Sequence, residues 1–465
     1  MATTSDPSAF VTVRGDRHAE APRTLAEPVP QVLSTWDQLG LWGNLGVSLL
    51  GFTGAIFVLQ PLGAGTPELS LEAALTAIVL GTVLGTAVVA GAGLAGARTG
   101  APAMVLLRGL FGTRLSYGPT ALNVLQLLGW GIFEVVTIST AAHTVAPAVP
   151  RPAFVVGAGV VTGVLAVRPL GAIRVLRRYV TAAVVVVLVY LLAELLAHPL
   201  PALGHGTWTG FWPATDTVVG AAVSFAPLAA DYTRHSRSGA AAVTGAMVGY
   251  SITQIACYAL GLVALVTVAR TPHAIYGAFV AVPAGAVAFG VLAARELDQS
   301  FADVYSTAVS VQNLRPRWDR RLLAVGVAAV ATVCALWVDI AAYETFLTLL
   351  GSVFVPLFAV FLVDFFGGRH RRDLSTASAT RWAMLAPWAA GFVVYQLINP
   401  GYVSWWAHGW ATVDSALGFH PAGWMSASIG SFVVAAALTA VGLAARRGWR
   451  TVHRRGGRPS VPAAG

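Results

Sequence analysis

Charged residues are scarce in this chain: only 11% of its 465 residues are Asp, Glu, Lys or Arg, whereas a soluble globular domain carries about 25%. Such a chain cannot cover a water-facing surface, which excludes a soluble enzyme. Lysine is absent, so all 29 basic residues are arginine. The two cysteines, Cys257 and Cys334, both lie within apolar runs, which argues against a disulfide framework or a cysteine-based metal site.

Apolar residues are abundant instead, at 56% of the chain with a mean hydropathy of +0.71. A transmembrane helix needs about 20 mostly apolar residues. Twelve such stretches follow one another, so we predict an all-α polytopic membrane protein with twelve transmembrane helices. The predicted spans are residues 39–61, 71–97, 119–146, 153–168, 179–197, 216–233, 239–268, 275–311, 320–338, 341–366, 381–398 and 423–445.

Arginine is distributed unevenly between the two sets of loops. One set is rich in arginine, whereas the opposite set contains only Arg151 and Arg270. Both termini fall on the arginine-rich side, which predicts that both are cytoplasmic and that the protein lies in the plasma (inner) membrane. Residues 1–34 are polar and lack the apolar core of a signal peptide, so they are predicted to be a disordered cytoplasmic tail, with 446–465 as a basic cytoplasmic tail.

Two of the predicted spans carry residues that interrupt helices. Span 1 contains several glycines, Gly46 among them, and span 6 contains Gly220 and Pro227. Transporters built from inverted repeats bind their substrate near the midplane, between interrupted helices of this kind. We therefore predict one transporter domain over 35–445. It would consist of two five-helix repeats and two extra helices, at 39–197, 216–366 and 381–445.

Ionisable residues deep in a membrane span indicate function, because burying them is costly. Glu134 lies midway along span 3, and Trp130 lies four residues earlier on the same helical face. An indole beside a carboxyl group would suit a planar heterocycle with N–H donors.

Span 8 holds a second group of charges, Arg295, Glu296, Asp298 and Asp303. Asp298 and Asp303 could border one cavity, one of them binding ligand and the other a cation or proton. The alternative is structural, with Arg295 neutralised by Asp298 or by Glu296.

Five segments give the chain a family resemblance. Over residues 30–445 it resembles the nucleobase:cation symporter-1 family, the purine–cytosine permeases. The resemblance implies a leucine-transporter-like fold, a five-plus-five inverted repeat with two C-terminal helices, and import of nucleobases or related rings with a cation. The segments are RTGAPAMVLLRGLFG (98–112), LNVLQLLGWGIFE (122–134), AADYTR (229–234), FADVYSTAVSVQN (301–313) and LLGSVFVPLFAVFLVDFF (349–366).

The resemblance also implies roles for individual substrate-binding residues. The ligand would stack on Trp130 and bond to Glu134 one turn later, with Asp303 as a further ligand-binding residue. Span 6 would contribute Ser224 and Phe225. In the family the positions of Glu134 and Asp303 more usually hold an amide, so both carboxyl groups are departures.

Sodium-coupled relatives hold their ion with span 1 carbonyl groups and two span 8 hydroxyl groups. These hydroxyl positions are Leu297 and Asp298 here, which weakens such a site, while a buried carboxyl group can carry a proton. We therefore predict proton coupling through Asp298, with sodium bound partly by Asp298 as the alternative. In span 1 we assign Gly46 to coupling and Ser48 to substrate.

The protonation state of the two acids bears on the substrate. A protonated carboxyl group both donates and accepts, as cytosine or adenine requires, whereas a carboxylate only accepts, which suits guanine, allantoin or hydantoins. Amino-bearing nucleobases are the first expectation. An allantoin, hydantoin or hydroxymethylpyrimidine transporter of the family is the alternative, and an amino-acid transporter of the same fold is less favoured.

Other classes of protein fit the sequence less well. The histidines are scattered and no catalytic or metal-binding motif is present, so neither an enzyme nor a cofactor is predicted. The predicted partners are the substrate and the lipid bilayer, and not nucleic acid. Oligomeric state is left open.

Overall fold

The computed structural model describes residues 10–14, 19–63, 66–175, 181–269, 275–338, 343–368 and 372–456, so Arg270 lies outside the described residues. The described part of the chain is mostly helical. Its one sheet in the described part is a parallel pair, β1 (Thr12–Val13) with β2 (Val29–Pro30). The helices are α1 (Thr35–Gly46), α2 (Leu49–Leu59), α3 (Leu71–Thr99), α4 (Ala103–Phe111), α5 (Thr113–Val145), α6 (Arg151–Val167), α7 (Pro169–Val175), α8 (Thr181–Leu196), α9 (Phe211–Val223), α10 (Ala226–Thr233), α11 (Gly239–Thr244), α12 (Ser251–Thr267), α13 (Ile275–Ala281), α14 (Gly285–Arg295), α15 (Leu297–Leu314), α16 (Arg320–Cys334), α17 (Tyr343–Gly367), α18 (Leu385–Ile398), α19 (Ser404–Leu417) and α20 (Ala427–Gly456).

Span 1 is broken, as its glycines predict. Helices α1 and α2 meet at an angle of 55°, and Val47 and Ser48 lie between them. The Ser48 side chain accepts a hydrogen bond from the Leu50 N–H (3.1 Å) and so caps α2. The break exposes peptide groups near the middle of the span.

Span 6 is broken as well. Helix α9 ends at Val223 and α10 begins at Ala226, which leaves Ser224 and Phe225 between them. Pro227 lies in the first turn of α10, where a missing N–H leaves no helix hydrogen bond unmade.

The prediction of one continuous span over 275–311 is wrong, because this region forms the three helices α13, α14 and α15. The first break contains Pro283, which cannot donate a backbone hydrogen bond, and Ala284 with φ +50°. The second break is at Glu296, whose side chain turns to the break in span 1. The prediction treated Pro283 and the charged residues Arg295, Glu296 and Asp298 as parts of one long span, although they lie at or beside the two breaks.

Helices α11 and α12 are joined by a π-helical segment, Gly245–Tyr250, into one stretch over Gly239–Thr267. By length and hydropathy, this stretch and four other described helices could each cross a membrane. A sixth crossing is obtained if α1 and α2 count as one broken span. Three further apolar helices are shorter: Arg151–Val167, Thr181–Leu196 and Trp382–Ile398. The apolar helices indicate a multi-pass membrane protein, whereas the count of twelve spans stays a prediction.

The predicted disorder of residues 1–34 does not hold for the described part of that segment. The Glu20 carboxylate accepts hydrogen bonds from the N–H groups of Leu170 (2.8 Å) and Gly171 (3.0 Å) at the start of α7. Further along, the N–H groups of Val32 and Leu33 donate to the His235 carbonyl oxygen (3.0 and 2.9 Å). Residues 19–34 are ordered because their apolar side chains, such as Leu25, Val32 and Leu33, are buried against the helical bundle.

Candidate functional site

The two broken spans border a small cavity of about 40 Å³ together with α5 and α15. Of the residues predicted for the site, only Asp298 does not line this cavity. Those that line it are Gly46, Ser48, Trp130, Glu134, Ser224, Phe225 and Asp303. The fold thus brings together residues from four separate stretches of the chain.

Aromatic rings form two walls of the cavity. Trp130 packs edge-on against Phe346, with ring centroids 5.3 Å apart. Phe225 packs in the same way against Tyr250, with centroids 5.0 Å apart. Fixed ring faces of this kind are suitable for stacking with a flat ligand. The sequence did not indicate Phe346 or Tyr250, because both come from helices that are distant in the chain.

Two carboxyl groups face the same cavity. Glu134 is 2% exposed and Asp303 is 5% exposed. No basic side chain among the described residues lies within the 4.0 Å of an ion pair from either of them. The Oε2 atom of Glu134 also has no hydrogen-bond partner in this part of the structure. A buried polar group without a partner is costly, so these groups are available to a ligand or to a proton.

Amide side chains support the broken backbone around the cavity. Gln126 donates to the Ser224 carbonyl oxygen (3.1 Å) and so fastens the break in span 6 to α5. Gln299 donates to the Leu45 carbonyl oxygen (2.5 Å) at the end of α1, and Gln254 donates to the Thr82 hydroxyl group (3.0 Å). None of these was predicted, although a buried amide in an apolar helix signals a hydrogen-bond network.

The charged cluster of span 8 lies beside the break in span 1. The Arg295 guanidinium forms an ion pair with Glu296 (2.5 Å) and donates to the Asn44 carbonyl oxygen. The other oxygen of Glu296 accepts a hydrogen bond from the Leu49 N–H. The alternative in which Arg295 is neutralised within span 8 is therefore correct, with Glu296 and not Asp298 as the partner. Asp298 forms no ion pair in the described part of the chain, and its Oδ2 atom has no hydrogen-bond partner there.

The segments that carry the family resemblance hold one end of the bundle together. Arg108 donates to the Asn313 side-chain oxygen (2.6 Å) and to its carbonyl oxygen (2.8 Å), which joins α4 to α15. Asp231 accepts from the Ala103 N–H (2.9 Å), which joins α10 to the start of α4. These segments therefore stabilise the arrangement of the helices around the site.

The fold is similar to that of two groups of solved transporters. Mhp1, a nucleobase-cation-symport-1 family transporter, matches in a closed conformation with bromovinylhydantoin bound (TM-score 0.71, 19% identity, 95% of each chain). Its inward-facing conformation matches with a TM-score of 0.66 at 18% identity, over 93% of this chain and 94% of that one. A mutant manganese transporter of Eremococcus coleocola matches with a TM-score of 0.54 at 14% identity, over 87% of this chain and 93% of the transporter chain.

Sequence comparison identifies the family. No curated protein sequence matches the chain. The profile of the permeases for cytosine/purines, uracil, thiamine and allantoin matches residues 42–384. This match covers most of the chain, including the breaks of both interrupted spans and every predicted site residue. The protein is therefore a secondary transporter and not an enzyme, and it belongs to the permease family for cytosine/purines, uracil, thiamine and allantoin.

Proposed function

We propose that this transporter imports an amino-bearing nucleobase, of the cytosine or adenine type, together with protons. The observation that carries the proposal is the presence of Trp130, Glu134 and Asp303 around one cavity between the two broken spans. The indole face would stack on the ring. A protonated carboxyl group would then accept from the exocyclic amino group and donate to the adjacent ring nitrogen.

Buried carboxyl groups that form no ion pair among the described residues support proton coupling. Glu134, Asp298 and Asp303 are all buried, and none forms an ion pair among the described residues. An isolated carboxylate in a membrane protein interior is costly, so these groups favour binding a proton or a ligand N–H group. Protons bound with the substrate and released with it would couple the two fluxes. Both termini are placed in the cytoplasm in this proposal, on the basis of the arginine-rich loops.

A ureido compound such as allantoin or a hydantoin is the second candidate. The observation in its favour is the structural match to Mhp1 with bromovinylhydantoin bound. Here the two acids would bind as carboxylates that accept hydrogen bonds from ring N–H groups. The two candidates therefore predict opposite effects of pH on substrate affinity.

Transport by the purified protein in proteoliposomes tests the proposal. Uptake of radiolabelled cytosine, adenine, allantoin and hydantoin would be measured with an imposed pH gradient or an imposed sodium gradient. We expect inward proton gradients to drive accumulation of cytosine or adenine. Accumulation that follows the sodium gradient and ignores pH would contradict proton coupling, and uptake of allantoin alone would favour the second candidate.

Variants of the two acids test the recognition of the ring. We expect Glu134→Ala and Asp303→Ala each to weaken nucleobase affinity at least tenfold, the equivalent of about 1.4 kcal/mol. The matched control is Glu194→Ala, on α8 and outside the cavity, which should leave affinity unchanged. Affinity that is indifferent to both cavity variants would remove the basis for the carboxyl recognition.

A further inference from the structure

The break in span 1 leaves peptide groups that need partners. The last carbonyl groups of α1 and the first N–H groups of α2 have no partner within their own helices. Asn44 and Leu45 present such carbonyl oxygens, and Leu49 presents such an N–H. The Asn44 carbonyl oxygen accepts one hydrogen bond from the Val47 N–H (3.1 Å), just past the end of α1, and can accept a second. Backbone carbonyl groups at a break of this kind are where a transporter coordinates an alkali cation.

Side chains from the junction of α14 and α15 already occupy these groups. The Arg295 guanidinium donates to the Asn44 carbonyl oxygen, and Gln299 donates to that of Leu45 (2.5 Å). Glu296 accepts from the Leu49 N–H on the other side of the break. One short stretch of span 8 therefore closes both ends of the interrupted helix.

The charge at this place is also fixed. Arg295 is 2% exposed and Glu296 is fully buried, and the two form an ion pair. A guanidinium stays protonated in proteins and offers only donors, so it repels a cation and competes for the same carbonyl oxygens. The adjacent Leu297 side chain has no oxygen to offer. The residues present do not fit a sodium ion at the break.

We infer that Arg295 is a built-in cation at the break of span 1, and that it makes the carrier independent of sodium. The guanidinium holds the end of α1 against α15, as a bound alkali cation would. The arginine cannot leave with the substrate, so this position contributes structure and no ion flux. The inference bears on the coupling ion of the proposed transport, but its test needs no substrate and so does not depend on that proposal.

The test compares sodium with potassium in the unliganded protein. The melting temperature of the full chain, purified in detergent, would be measured in NaCl and in KCl at equal concentration. We expect wild type to melt at the same temperature in both salts. Arg295→Ala removes the guanidinium from the Asn44 carbonyl oxygen, which keeps only the Val47 N–H, and leaves the Glu296 carboxyl group without its cation. Sodium should then raise its melting temperature by about 2 °C or more relative to potassium.

Three further variants make the test specific. Arg295→Gln removes the charge but keeps a donor, so it should also gain a sodium response, whereas Arg295→Lys keeps a cation and should show none. The matched control is Arg320→Ala. Arg320 is also fully buried and donates to backbone carbonyl groups, those of Pro22, Ala166 and Val167. Its loss should lower the melting temperature equally in both salts.

Two results would overturn the inference. One is a sodium-specific rise in the melting temperature of wild type, which would show that the ion binds beside Arg295. The other is the absence of a sodium response in both Arg295→Ala and Arg295→Gln, including failure of both to fold in sodium as well as in potassium. A variant that can be purified folded only in sodium counts as a response and supports the inference.

Discussion

Gly46 offers a sharp test of what the break in span 1 requires from its residues. It is the last residue of α1 and was assigned to ion coupling from the sequence. In the structure an alanine Cβ at this position would lie 2.2 Å from the Thr253 hydroxyl oxygen and 2.6 Å from the Tyr250 carbonyl oxygen. At Gly43, one turn earlier, the Cβ would be 3.7 Å from the nearest atom, the Gly249 carbonyl oxygen, which is an ordinary contact.

The cost of the two substitutions follows from these distances. Alanine gains about 0.5–1 kcal/mol over glycine within a helix, while overpacking a filled space costs about 1–3 kcal/mol and occasionally more. The Tyr250 carbonyl group cannot rotate away like a side chain, so Gly46→Ala should be at the upper end of that cost. We expect Gly46→Ala to lower the free energy of unfolding by about 2 kcal/mol, and Gly43→Ala to leave it unchanged or slightly higher.

Unfolding of both variants in mixed detergent micelles, followed by tryptophan fluorescence, measures the difference. A close-packing role predicts that transport by Gly46→Ala falls together with its stability. If Gly46→Ala is as stable as Gly43→Ala, the packing argument is refuted. If transport is nevertheless lost in Gly46→Ala alone, the coupling role assigned from the sequence would be the better explanation.

Two further predictions concern contacts far from the cavity. The Asp216 carboxylate on α9 accepts hydrogen bonds from the Ser426 hydroxyl group (2.5 Å) and from the N–H groups of Ala427 (2.8 Å) and Ser428 (3.1 Å). Asp216→Ala should therefore lower the free energy of unfolding by about 3 kcal/mol and speed hydrogen exchange at the start of α20; unchanged exchange there would contradict this. Burial, with help from a neighbouring arginine, lowers the pKa of His235 well below its usual range. The unfolded state therefore binds a proton at His235 more readily than the folded state does. The contribution of neutral His235 to the free energy of unfolding is complete above about pH 6.5 and falls by about 1.4 kcal/mol per pH unit below it. Unfolding free energies of wild type and His235→Gln, measured between pH 5 and 7.5, should diverge at the acidic end, and parallel profiles would contradict the prediction.

The parts of the site that follow from local sequence were predictable. Glycine and proline interrupt spans 1 and 6, so both broken spans could be located without a structure, although Pro119 and Pro356 lie inside continuous helices. Trp130 and Glu134 share a face of α5 because they are four residues apart, and both line the cavity. These inferences need only the geometry of a single helix.

The parts that depend on contacts between distant helices were not predictable. Arg295 could have paired with Glu296 or with Asp298 on spacing alone, and the choice depends on the position of the break in span 1. Gln254 supports the site from a helix whose neighbours the sequence does not specify. The order of residues 19–34 likewise depends on surfaces formed by other segments, which a polar composition does not show.

Two carboxyl groups near the start of α15 have different roles: one stabilises the break in span 1, and the other faces the cavity. Glu296 and Asp303 are seven residues apart, about two turns, so they lie on nearly the same face of span 8. Glu296 forms an ion pair with Arg295, and its other carboxylate oxygen accepts a hydrogen bond from the Leu49 N–H at the break in span 1. Asp303 has no such cation among the described residues and faces the cavity. A carrier must bind and release charge in each cycle, and a carboxylate held by a permanent guanidinium cannot do so at low cost. Exchange of protons or ligand is therefore expected at Asp298, Asp303 and Glu134, while the Arg295–Glu296 pair is expected to stay intact through the cycle.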